Sequence, residues 1–353
     1  MIDIGFYLRI QNAKRHLMGG KSLVGSTASF FEECRSKVPV VYNIETTNAC
    51  NMRCSFCPRT ELMTRPVKTM SPEVFMKVAL QLKPHAPERW DNTGASIYEG
   101  WKGQGWVQFA HEYYGVSPDE QSENAFFLYI IPRVIVLHGY GDPLLDPRIA
   151  DYVGILSRAG LESYFSCNPT NINLGRTANV FESGLTYIKY SIDSLTSSAR
   201  GKDAFRNDYP KIMQVLEMKA KQNYKTQIVI TMIDLGQDEF ELLKEAFKGT
   251  DVYIYQKSAD QAWLTGKPAA KSIHWSEFCQ FPWSSMTINS SGLAVACSED
   301  FNGEIVLGDA KVQTLEEIWN SASYRNFRQS HFDLTQDKCV NRCDMKVVGK
   351  WTS

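Results

Sequence analysis

Along this chain, short apolar runs alternate with longer segments in which apolar positions recur every three or four residues. Runs rich in β-branched and aromatic residues at 40–45, 133–137, 162–166, 186–192, 226–232 and 251–255 predict strands. Between them, helical periodicity marks 147–159, 174–183, 209–222 and 239–247. A further helix opens at Ser71, with Pro72 at its first position and Glu73 close behind. Parallel strands need crossovers that are usually helical, so six such β/α units predict an α/β fold with a parallel sheet. Six units fall short of an ordinary eight-unit barrel, which leaves an open or partial (β/α)6 barrel with ligands at the C-terminal strand ends.

Two regions interrupt the alternation. The segment 84–131 is too long for a connection of roughly 2–6 residues and is crowded with tryptophan, tyrosine and phenylalanine. A packed structural insertion is its simpler reading, and a partner- or substrate-binding surface the alternative. Beyond residue 256 the repeat stops. Residues 286–288, a turn through 289–292 and a return strand ending at Cys297 predict a hairpin, followed by a helix at 314–320. The organisation expected is a helical leader over 1–38, broken at Gly19 and Gly20, a barrel over 39–256 and a small C-terminal β-hairpin/helix domain within 257–353.

Composition narrows the setting. The 353 residues suffice for about two domains. With 38 basic and 39 acidic residues the net charge is −1, so no general positive field favours nucleic acid or an anionic membrane. No stretch reaches the roughly 18 apolar residues of a membrane span. Nine cysteines, an odd number gathered in clusters, argue against a disulfide framework. Asp3, Arg9, Lys14 and Arg15 interrupt any signal-like apolar core, so a reducing cytoplasm is expected.

Cys50, Cys54 and Cys57 follow the first strand as C-x3-C-x2-C. A structural zinc site wants four protein ligands, and no fourth cysteine or histidine is near. Three thiolates on a four-iron cluster would leave one iron open to chemistry. With Phe56 before the third cysteine, the run resembles the signature of the radical S-adenosylmethionine (radical SAM) enzymes, which have a partial six-unit barrel. The resemblance implies a [4Fe–4S] cluster whose open iron chelates SAM and whose electron cleaves it to a 5′-deoxyadenosyl radical. It also implies a flavodoxin- or ferredoxin-type electron donor. His138-Gly139-Tyr140-Gly141-Asp142-Pro143 is similar to the family's G-x-G-E-P turn, with Asp142 in place of the usual glutamate. Gly139, Gly141 and Asp142 thereby become candidate SAM contacts. Ser166 and Asn168, at the next strand end, and Ser191 and Asp193, at the one after, match family segments that reach SAM. Each read singly is equally well an ordinary helix cap.

The tail carries Cys279, Cys297, Cys339 and Cys343. Four thiolates suit either tetrahedral zinc or a fully ligated iron–sulfur cluster, and spacing alone does not separate them. The hairpin, the 307–329 stretch and the closing pair resemble the SPASM/twitch extension of radical SAM enzymes, which implies an auxiliary [4Fe–4S] cluster. Such a cluster can take the electron left on a substrate radical. The leading expectation is therefore net oxidation of a polar small molecule such as a sugar or aminocyclitol, because the leader is short for a peptide-recognition domain. A peptide substrate with cross-link formation is an alternative. So is epimerisation with the Cys167 thiol as hydrogen donor, against the simpler reading of Cys167 as buried core. A non-catalytic iron–sulfur protein is the last alternative.

Overall fold

A computed structural model describes residues 1–10, 27–54, 57–84, 106–192, 195, 204–233, 237–257, 279, 281–333, 335, 336 and 339. The expected strands form close to their predicted bounds: β1 (Val41–Ile44), β2 (Ile135–Val136), β3 (Ser163–Cys167), β4 (Tyr187–Ile192), β5 (Gln227–Ile233) and β6 (Val252–Lys257). They pair in sequence order and all in parallel. The intervening helices are Pro72–Ala79, Ile149–Arg158, Leu174–Glu182, Ala204–Gln222 and Gln237–Ala246. Ser71 caps the first of them through its side chain, as its sequence predicts.

A parallel sheet covered on both faces reads as near-continuous apolar sequence, and this sheet separates two cores. Ile135, Phe165, Ile188 and Ile230 face the crossover helices, where they meet Phe75, Tyr152 and Phe181. Val136, Tyr164, Val229 and Tyr255, one residue out of phase, belong to the second core, on the opposite, inner face. The 84–131 insertion enters this second core. Its helix Trp106–Tyr114 and its π-helical turn Phe126–Ile130 pack there with the helix at 4–10, the helix Thr27–Cys34 and Trp283. A leftover apolar cavity of ≈ 30 Å³ between Ile4, Tyr7, Trp106 and Phe127 is too small for a polar substrate.

The hairpin forms as β7 (Met286–Ile288) and β8 (Leu293–Val295), and a further strand, β9 (Val306–Asp309), joins them. It does not stand apart from the barrel sheet. β7 pairs in parallel with β1, which makes one nine-stranded sheet in the order β6-β5-β4-β3-β2-β1-β7-β8-β9. Behind it, Leu315–Trp319 and Ala322–Phe332 are helical, and buried Arg328 lies between the Trp319 and Tyr324 rings, 4.4 and 4.5 Å from their centroids. No described helix is long and apolar enough to cross a membrane.

Candidate active site at the strand ends

The chain leaves β1 into a loop shaped by its polar side chains. Asn48 donates its Nδ2 to the Pro66 carbonyl at 3.0 Å and accepts the Lys68 N–H at 2.6 Å, which folds 48 and 66–68 together. Arg59 Nε donates to the Asn48 carbonyl, and Thr60 Oγ1 to that of Cys54. Cys50, Cys54 and Cys57 are unbridged and partly buried. Burial pushes the Cys50 and Cys57 thiols up, while backbone N–H donors, from Met52 to Cys50 and from Arg59 to Cys57, act the other way. The net effect favours the neutral thiols, and a bound metal would enforce the thiolates; the fit to a cluster rests on the donor type, three unbridged cysteines in one loop. Among the described residues no three Cys, His, Asp or Glu converge as a metal site. Phe56 lies outside the described residues.

The glycine-rich turn presses against the exit of β1. A Cβ on Gly139 would lie 2.4 Å from Glu45 Oε1, and one on Gly141 only 2.2 Å from the Thr47 carbonyl oxygen. These contacts are what require glycine there. Asp142 donates its N–H to the Ala49 carbonyl, and its carboxylate accepts from the N–H groups of Leu144 and Asn168 and from Asn171 Nδ2, at 3.0, 2.9 and 2.7 Å. Burial raises its pKa and these donors oppose the rise. Asn171 exchanges hydrogen bonds with Asn51, so Asp142 and Asn171 lock the cysteine loop to the ends of β2 and β3.

The remaining candidates divide. Ser166 and Ser191 approach each other, Oγ to Oγ 3.0 Å, on the inner face, and Ser166 donates its N–H to His138 Nδ1. The Asn168 side chain caps the turn Pro169–Asn171, and Asp193 lies outside the described residues. Cys167 corrects one expectation. Its thiol does not look into the barrel with Ser166 but is 5% exposed within the helix-side core, because side chains alternate along β3.

Two groups escaped the sequence reading. Glu45, next after β1 and 3% exposed, receives both terminal nitrogens of Arg65 at 2.5 and 2.6 Å, and also the N–H groups of Tyr140 and Ser290. Arg65 Nε donates to the Phe301 carbonyl. This knot ties the segment following the first cysteines to the turn before Cys297. A carboxylate directly after a buried strand was its only sequence signal. Lys189 is the lone charge in β4, with its Nζ 5.7, 5.8 and 6.0 Å from the ring centroids of Tyr164, Phe126 and Tyr255. A lysine inside an otherwise buried strand was visible, but its surroundings were not.

Of the second cysteine set, Cys279, Cys297 and Cys339 are unbridged and partly buried, and Cys343 lies outside the described residues. Tyr140 reaches from the glycine-rich turn towards this side, with its Oη 3.4 Å from Glu299 Oε2 and its ring edge-on to Phe301.

Residues 279–344 match the model of SPASM, an iron–sulfur cluster-binding domain. The chain is similar in fold to the crystal structure of BtrN in complex with AdoMet and 2-DOIA, with 15% identity, a TM-score of 0.51, and coverage of 89% of this chain and 98% of that one. It is also similar to Streptococcus suis SuiB bound to precursor peptide SuiA, with 9% identity, a TM-score of 0.50, and coverage of 96% and 83%. No curated protein matches the sequence.

Proposed function

We propose, from a chain with a SPASM iron–sulfur cluster-binding domain and a parallel sheet core of the radical SAM kind, that it uses SAM to remove hydrogen from a substrate C–H bond in a net oxidation. The substrate we infer is a polar small molecule of the sugar or aminocyclitol class. The observation that carries this reading is that both thiol-bearing segments meet at one end of the sheet, tied by Glu45, Arg65 and Ser290. Cys50, Cys54 and Cys57 would hold the SAM cluster, and Cys279, Cys297, Cys339 and Cys343 the auxiliary one. When bound, the first cluster and SAM supply a 5′-deoxyadenosyl radical, and the second supplies an acceptor for one electron.

The chain's own residues then have defined tasks. Asp142 and Asn171 hold the cysteine loop in register with the glycine-rich turn. Ser166 and Ser191 offer adjacent hydroxyls where a ribose diol or a polyol can exchange hydrogen bonds. The inner-face aromatics exclude water from below. The likeness to BtrN, crystallised with 2-DOIA, supports a small polar substrate, while that to SuiB, bound to a peptide, keeps a peptide as the second reading.

Anaerobic reconstitution tests this directly. About eight irons per chain are expected, together with 5′-deoxyadenosine from SAM under dithionite. About four irons with one zinc would remove the auxiliary cluster and the oxidative outcome with it. Turnover of 2-DOIA against that of peptides separates the two substrate readings.

A further inference from the structure

Lys189 is 9% exposed. Its register partners are Ser166 on β3 and Val229 on β5, so its side chain stands on the inner face, one level below Ser191. Among the described residues its Nζ has neither a hydrogen bond nor an ion pair; its partners are the faces of Phe126, Tyr164 and Tyr255. The ionisable groups around it are Glu123 from the insertion, Tyr164 and Cys167 from β3, Tyr255 and Lys257 from β6 and His138 beyond β2. Among the described residues the buried Tyr255 hydroxyl has no hydrogen-bond partner, and the His138 ring, kept neutral by burial, closes the side towards Ser166. Among the described residues Glu123 favours the ammonium only through its charge and makes no ion pair with Nζ, and a buried amine held without a paired carboxylate is costly as a structural device. In this setting it can exist in both protonation states, because removal from water favours the amine while the ring faces favour the ammonium.

We propose that Lys189 is a catalytic residue that takes the proton from a substrate hydroxyl held beside Ser166 and Ser191, and that the bond oxidised is the C–H of that carbinol. The proposal rests on the function proposed above and names its substrate group. The carbinol O–H proton moves to the neutral Nζ, which becomes an ammonium. The carbon-bound hydrogen atom goes to the SAM-derived radical. The last electron goes to the iron–sulfur cluster of the C-terminal domain, and C=O forms. Burial, and after it the repulsion from Lys257, brings the Lys189 pKa down to about 7, so the amine is available at neutral pH.

Competitive acetylation of the full chain with acetic anhydride from pH 5.5 to 10, read by peptide mass spectrometry, needs neither clusters nor turnover. Lys189 is expected to reach half reactivity near pH 7, and half reactivity only at the ordinary alkaline pH of a lysine amine would overturn the proposal. On the reconstituted enzyme, 2-DOIA oxidation should rise with pH through about 7 and level off. Both Lys189→Met and Lys189→Arg should lower it by about 100-fold and abolish that limb, since a guanidinium keeps the charge but cannot accept the proton. An Arg variant that retains the rate would make Lys189 a binding cation and overturn the assignment. 5′-Deoxyadenosine formation by the wild type reports the proposed function separately, so a failure there is distinguishable from a failure at Lys189.

Discussion

At Gly141 a single methyl group decides whether the glycine-rich turn can meet the cysteine loop. The added Cβ would lie 2.2 Å from the Thr47 carbonyl oxygen and 2.7 Å from Asn48 Cα, both backbone atoms that cannot rotate away. Gly141→Ala should therefore cost about 3 kcal/mol, the upper part of the range for overpacking, seen as a lowered anaerobic unfolding temperature. Gly175→Ala is the internal control, because its Cβ would meet only Asn173 Oδ1, at 3.6 Å, inside a helix. That variant should be neutral or up to about 1 kcal/mol more stable. Equal losses at both positions would remove the contact argument. The spacing of residues was enough to single out the cysteines and these glycines. Glu45 and Lys189 were not legible as site residues because their significance comes from groups remote in sequence, Arg65 and Ser290 for one, Tyr164, Tyr255 and Phe126 for the other.

Among the elements, the helix Leu315–Trp319 shows how much local sequence carries. Thr314 accepts the Glu317 N–H at 3.1 Å, and the Glu317 carboxylate accepts the Thr314 N–H at 2.7 Å, a complete capping box. Thr314→Ala should cost about 1 kcal/mol by thermal or denaturant unfolding. The Thr314 N–H and, after it, the Thr314 hydroxyl at 3.0 Å donate to the Glu317 carboxylate and lower its pKa, so the hydroxyl's share, which the variant loses, is present above the ordinary carboxylate pKa and lost as pH falls through the lowered folded value. The gap between variant and wild type should accordingly narrow on acidification in that window, and a gap independent of pH would contradict the box. Elements of this kind, like the six strands and their helices, follow from periodicity and caps and were legible within a few residues. The parallel pairing of β7 with β1 was not, because strands more than 240 residues apart carry no local mark of each other. Nor could composition alone show that the aromatic insertion lines the inner face of the sheet.

Across the whole molecule, the Glu45–Arg65 knot decides whether the two cysteine-bearing segments behave as one unit. Its side chains are only 4% and 9% exposed, so their geometry is held by the packing around them rather than by a surface ion pair. Removing one partner of a buried pair leaves an uncompensated charge, and Arg65→Met should cost about 3 kcal/mol or more. Adding Glu45→Gln removes that stranded charge but turns an amide NH2 towards one of the two backbone N–H donors, so the double variant should lose less than the sum of the two single variants, where independent sites would add. The spatial consequence is equally specific. The Tyr140 and Ser290 amides both donate to Glu45, although they belong to the glycine-rich turn after β2 and the hairpin turn after β7. In Arg65→Met, hydrogen exchange should speed up at both turns together, whereas a change confined to the neighbourhood of residue 65 would show that the segments are held together by other contacts. Coupled exchange at two turns about 150 residues apart would mean that the carboxylate after β1 sets the position of one cysteine-bearing segment against the other.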